Sequence, residues 1–169
     1  MKRSKVQTTS ENILIDCSPS EAWQVYEDLA VRPVWDHNVQ RIWWVSDGEL
    51  QPGARLAGVS KAVGLTIEWE AEVVSHDPPH GQSVRSISGP FGFTATVRFE
   101  PFAGATRFTW TAVTDNPRRI LGKMALEMAM RGYRKELRSN LERFRALVAA
   151  RYADDAQPSE RTNADVSRS

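Results

Sequence analysis

A chain of 169 residues with 41% apolar side chains is long enough for one domain with a real core. Its 22 basic residues stand against 21 acidic ones, and a net charge of +1 excludes a general binder of nucleic acid or anionic membrane, because it offers no basic field. One cysteine, Cys17, excludes an intramolecular disulfide and fits a reduced, cytoplasmic setting.

Residues 1–5 are polar and read as a flexible N-terminus, with no apolar signal core behind Met1-Lys2-Arg3-Ser4-Lys5. No stretch is apolar enough to cross a membrane. Thr8–Asp16 reads as a strand with Ile13 and Ile15 on one face and Leu14 on the other. Ser18-Pro19-Ser20-Glu21 opens a short helix: Ser18 caps, Pro19 suits the first turn and Glu21 closes a capping box. Val31–Asp36 is a turn or second short helix interrupted by Pro33. Strands follow at Val39–Ser46, Ala54–Lys61 and Leu65–Ser75. The last alternates most clearly, with Leu65, Ile67, Trp69, Ala71 and Val73 on one face and Thr66, Glu68, Glu70 and Glu72 on the other. After the Pro- and Gly-containing loop His76–Gly81 come Ser83–Ile87, Phe91–Glu100 and Thr106–Thr114.

Pro117–Ala150 then reads as one helix, begun by Asp115-Asn116-Pro117. Tyr133, Leu137, Leu141, Phe144 and Val148 form one apolar stripe. The first half, with Leu121, Met124, Leu126, Met128 and Met130, is apolar over a wider arc and is expected to be buried against more than one surface. Gly132 either makes room for a ligand or a neighbouring backbone, or is a tolerated surface glycine. Residues 151–169 turn polar and read as a disordered tail. Strands about ten residues apart, joined by short turns, predict a meandering antiparallel sheet whose apolar face needs cover, and the long helix is the large partner available.

The run Ile13–Trp23, Trp35-Asp36, the turns Asp77-Pro78-Pro79 and Ser88-Gly89-Pro90, Phe99-Glu100-Pro101, and Gly104–Trp110 ahead of the last helix together resemble the START-like superfamily of polyketide cyclases/dehydrases and lipid-transport proteins. The resemblance spans residues 6–150. It implies an α+β helix-grip fold, in which a seven-stranded curved antiparallel sheet wraps round the C-terminal helix over a deep apolar cavity. It carries no fixed catalytic motif, so function stays open between carriers, cyclases and protein-binding members.

Candidate ligand contacts are the inward aromatics Trp69, Phe91, Phe93, Phe108 and Trp110, joined by Trp35, Tyr133, Met124 and Met128; an ordinary packed core would use the same residues. Arg85, on a strand too short to fix its phase, and Arg41, in alternation with Val39, Trp43 and Val45, are candidates to orient a carboxylate or phenolate, whereas Arg98 shares a polar face. His37, Tyr133 and Arg85 are the titratable candidates for catalysis. His76 and His80 flank two prolines without further ligands, so no metal site is read, and no cofactor fingerprint is present. Glu68, Glu70 and Glu72 form a solvated face, and Cys17 lacks an evident His partner.

The leading expectation is a non-catalytic binder of a small hydrophobic or aromatic molecule (a lipid, polyketide or isoprenoid), monomeric or homodimeric, with the cavity mouth between the long helix and the loops Gly48–Gly53 and Ser88–Phe93. The alternatives are an aromatase/cyclase-type enzyme and a chaperone-activator type of protein-binding module. The latter rests on Trp43-Trp44, which cannot both face inward on one strand.

Overall fold

A computed structural model describes residues 6–62, 64–115 and 123–153. The expected helix start at Asn116-Pro117, Leu121, the N-terminal 1–5 and the polar stretch beyond Ala153 lie outside the described residues.

Strand β1 (Gln7–Ile15) buries Ile13 and Ile15 and exposes Leu14, as its alternation requires. Helix α1 (Pro19–Glu27) begins with the full capping box: Glu21 N–H donates to Ser18 Oγ at 3.3 Å, and Ser18 N–H donates to Glu21 Oε2 at 2.7 Å. A single 3-10 turn, Leu29–Val31, leads into the one-turn helix α2 (Arg32–Trp35), which carries Pro33 in its first turn. Strands β2 (Val39–Trp44), β3 (Arg55–Ala62), β4 (Leu65–Asp77), β5 (Gly81–Ser88), β6 (Phe93–Phe102) and β7 (Ala105–Thr114) follow, and then helix α3 (Lys123–Ala153).

All pairings are antiparallel, in the order β1-β7-β6-β5-β4-β3-β2, so β1 closes against the last strand and β2 is the far edge. The result is the curved seven-stranded α+β half-barrel with its long C-terminal helix. That helix continues through Arg151 and Tyr152, three residues beyond Ala150, and the Tyr152 hydroxyl donates to the Gln24 side chain at 3.0 Å.

The core forms two separate clusters. The larger joins β1, β6, β7, α1, α2 and α3 through Ile15, Trp35, Phe99, Phe108, Leu141 and Phe144. The smaller lies on β3 and β4, around Leu56, Ala71 and Val73. Helix α3 makes its close backbone approaches to β1, α1 and α2, and none comparable to β2–β5 among the described residues. The helix follows the β1 end of the curved sheet, and the two part company towards the β2–β5 side. The space between them is the cavity.

Candidate ligand-binding cavity

The cavity measures about 810 Å³, a size that holds a drug-sized or multi-ring ligand. Its wall takes Trp69 from β4, Phe93 from β6, Trp110 from β7, Trp35 from α2 and Tyr133 from α3, with Phe91 reaching in from the turn before β6. Trp69 is held by three features: an indole N–H bond to Ser60 Oγ at 2.9 Å, an edge contact with Phe93 at 5.6 Å, and the absence of a side chain at Gly58 directly across the ladder. A Cβ at Gly58 would lie 2.3 Å from the Trp69 ring. The glycine is therefore a berth for the indole.

Other expected contacts are elsewhere. Phe108 is fully buried, stacked on Phe99 at 4.5 Å and packed against Phe144 at 4.8 Å, and so belongs to the larger core cluster and not to the cavity wall. Met124 and Met128 are 77% and 70% exposed. Met130 and Tyr133 face the cavity, and at about 100° per residue Met128 lies about 160° round the helix from Met130. The wide apolar arc of α3 is thus covered on one side only, at these two positions. Gly132 lines the cavity, and an added Cβ would meet no protein atom within 4 Å, so no neighbouring backbone requires glycine there.

Arg85 is exposed next to the cavity-facing Val84 and so points to the other face of the sheet, opposite Glu72 and Thr94. His37 is exposed and offers only its backbone N–H, to Asn140 Oδ1 at 3.2 Å. Arg41 also turns outward. A β-bulge between Val39 and Arg41 adds one residue to β2, and a one-residue shift reverses the face of everything beyond it. Ile42 and Trp44 therefore line the cavity, while Trp43 is 41% exposed with the Arg41 guanidinium 5.2 Å from its ring centre. Gly64 and Leu65 of the β3–β4 turn and Pro90 and Phe91 of the expected Ser88–Phe93 loop line the cavity, but the Gly48–Gly53 loop does not.

The inner end holds residues that the sequence pattern did not single out. Arg32 and Asp36 are each only 6% exposed and pair through Nε and Oδ2 at 3.3 Å. The Arg32 guanidinium sits 5.2 Å from the Tyr26 ring centre, 4.5 Å from Trp35 and 4.8 Å from Trp110, a three-sided aromatic cage. Asn140 Nδ2 donates to Asp36 Oδ1 at 2.8 Å, and the Asn38 N–H reaches the same oxygen at 3.3 Å. Arg143 donates to Asn140 Oδ1, to the Trp35 carbonyl at 3.1 Å and to Glu136 at 2.6 Å. This network ties α2 to α3 under the cavity floor. Asn140 is legible in one respect, as a polar residue on an otherwise apolar stripe, but nothing local in the chain marks Arg32 and Asp36 as a buried pair.

Burial pushes the Asp36 carboxyl above the ordinary carboxylate range, while Arg32 and the Asn38 N–H pull it back. Three donors on its oxygens hold the ionised form. Tyr133 has a half-buried ring, but its hydroxyl is enclosed; burial, then the Asp36 charge, pushes its pKa up to about 12, against weaker opposing effects of Trp110 and Arg32. Its contact with the Trp110 indole N–H is too loose for hydrogen-bond geometry, and the N–H groups of Trp23, Trp35 and Trp110 are buried without a hydrogen-bond partner among the described residues. The Tyr26 hydroxyl is also raised by burial, with Arg32 and Gln82 beside it favouring ionisation. Among the described residues no group of three or more His, Cys, Asp or Glu side chains converges.

Residues 6–149 match the family described as polyketide cyclase / dehydrase and lipid transport. The chain belongs to that family. No curated protein matches it by sequence. Among solved structures, TTHA0849 of Thermus thermophilus superposes with a TM-score of 0.74 at 19% identity, covering 86% of this chain and 99% of the other. The Zhui aromatase/cyclase of a Streptomyces species gives 0.72 at 11% identity, covering 91% and 100%. A START superfamily protein of Mycobacterium smegmatis gives 0.66 at 14%, covering 83% and 98%. At these identities the likeness establishes the fold, and the family's hydrophobic-ligand architecture is present here as the cavity above. No helix among the described residues is long and apolar enough to cross a membrane.

Proposed function

We propose that this member of the polyketide cyclase / dehydrase and lipid transport family binds and carries a small, largely apolar molecule in the cavity between sheet and helix. The observation that supports it is the cavity itself: about 810 Å³, walled by Trp69, Phe93, Trp110 and Tyr133, within a protein whose core is otherwise closely packed. A void of that size costs stability unless something occupies it. Buried apolar ligand surface contributes about 25 cal/mol per Å², offset by the freedom lost on binding, so micromolar affinity is the expected range. The lone Cys17 and balanced charge support a reducing, cytoplasmic setting.

Titration with the neutral fluorescent probe N-phenyl-1-naphthylamine tests this. The expected result is saturable enhancement at one site, abolished by Ala112→Trp, which fills the cavity from β7. Absence of saturable binding, or binding indifferent to Ala112→Trp in a folded variant, overturns the reading.

A catalytic reading, of the polyketide cyclase/dehydratase class, is favoured by one observation: Tyr133 lines the cavity wall and brings a hydroxyl that can donate a hydrogen bond there. Its test is conversion of an aromatic-forming poly-β-ketone analogue by wild type against Tyr133→Phe. Product formation that the substitution leaves unchanged removes Tyr133 from the reaction.

A further inference from the structure

The inner end of the cavity has an imbalance of a definite kind. Its acceptors are engaged. Both oxygens of Asp36 are taken, Oδ2 by Arg32 and Oδ1 by Asn140 and Asn38. Asn140 Oδ1 receives the His37 N–H and Arg143, and Glu136 Oε1 receives Arg143. Gln82 Oε1 lies 3.0 Å from His76 Nδ1. Its donors are not all engaged. Arg32 meets Asp36 through Nε, which leaves the outer guanidinium nitrogens among the Tyr26, Trp35 and Trp110 rings, where the Tyr26 hydroxyl takes part of their capacity and the Tyr133 hydroxyl lies within electrostatic range. The charges, by contrast, already cancel: Arg32 with Asp36, and Arg143 with Glu136. A donor surplus without net charge suits an oxygen that accepts hydrogen bonds and brings no charge of its own. A ligand carboxylate placed beside Arg32 would be a second buried anion next to Asp36, and Lys61, the lining cation without an ion pair among the described residues, is exposed on β3.

We propose that Arg32 receives a neutral carbonyl oxygen of the ligand (ketone, ester or amide) at the inner end of the cavity, and that this end discriminates against a carboxylate. This rests on the carrier reading, and names the chemistry of the buried end of the cargo. Arg32 here is a specificity residue: it orients the molecule with its carbonyl inward and its apolar remainder along Trp69 and Phe93.

The test uses three rigid ligands of one shape on the full chain at pH 7.5, followed by calorimetry: 2-acetylphenanthrene, 2-isopropenylphenanthrene and phenanthrene-2-carboxylate. One net hydrogen bond gained by the ketone predicts that it binds about fivefold tighter than the hydrocarbon. The carboxylate should bind at least about tenfold more weakly than the ketone, because its desolvation goes uncompensated. Equal affinity for ketone and hydrocarbon, or tightest binding of the carboxylate, overturns the proposal while leaving the carrier reading intact. Failure of all three to bind overturns both. Arg32→Met combined with Asp36→Leu removes the donor without orphaning a charge. In that variant the ketone-to-hydrocarbon ratio should fall to about 1 while hydrocarbon affinity holds, and a ratio that stays near fivefold refutes the role of Arg32. If the pair variant does not fold, the three-ligand comparison on the wild-type chain decides by itself.

Discussion

Asn140→Leu removes the amide through which α3 grips the α2 turn, while keeping the branched shape and the number of heavy atoms. Asn140 is 2% exposed, donates to Asp36 Oδ1 at 2.8 Å and accepts the His37 N–H at 3.2 Å. A hydrogen bond to a charged acceptor contributes about 1.5–3 kcal/mol, and the buried carboxylate that loses a donor keeps its desolvation cost. The His37 N–H belongs to an exposed residue and can turn to water, so it adds little. Leucine returns part of the loss as apolar burial. The net expectation is a destabilisation of about 3 kcal/mol, seen in urea unfolding as a lowered midpoint at unchanged slope, and in calorimetry as a melting point lower by about 10 °C. Asn140→Asp should be worse at pH 7, since it sets a second carboxylate against Asp36, and should recover part of the loss towards pH 5 as the pair takes up a proton. A change below about 1 kcal/mol for Asn140→Leu would mean that the network does not hold α2 to α3.

Three further outcomes follow from other residues. Gly132→Ala should stabilise the fold by about 1 kcal/mol, because the mid-helix position gains helix propensity and the new methyl meets open space; destabilisation by urea would show that the cavity wall is closer there than the structure places it. Gly58→Ala should cost about 1–3 kcal/mol and shift tryptophan emission, because the Trp69 ring must leave its berth; an unchanged spectrum counts against it. The raised Tyr133 pKa stabilises the fold fully below pH 10 and is lost as pH rises through about 12. At about 1.4 kcal/mol per pH unit that contribution is at most about 3 kcal/mol. Between pH 9 and pH 11.5 the wild type should therefore lose more stability in urea than Tyr133→Phe, and parallel pH slopes would place the hydroxyl in water.

The sequence by itself determined the elements and their order, because each depends on neighbours along the chain. The Ser18 capping box, the period-two alternation of Leu65–Val73 and the Tyr133–Val148 stripe each encode local geometry, and each is present where its residues stand. The placement of Trp69, Phe93 and Trp110 on one face of the sheet follows from the same alternation. Tertiary structure alone decided which apolar residues fill the core and which border empty space. Phe108 and Trp110 share a strand face, yet one is sealed under Phe144 and the other borders the cavity, because α3 packs on one part of the curved sheet and draws away from the rest. It also decided the face of Arg41, through one bulge, and the exposure of Met128, through what the helix meets at each angle. The Arg32–Asp36–Asn140 cluster lay beyond any local pattern, since Asn140 stands more than a hundred residues from the other two. A charged pair near Pro33 acquires its meaning only when three aromatic rings and the far helix remove it from water.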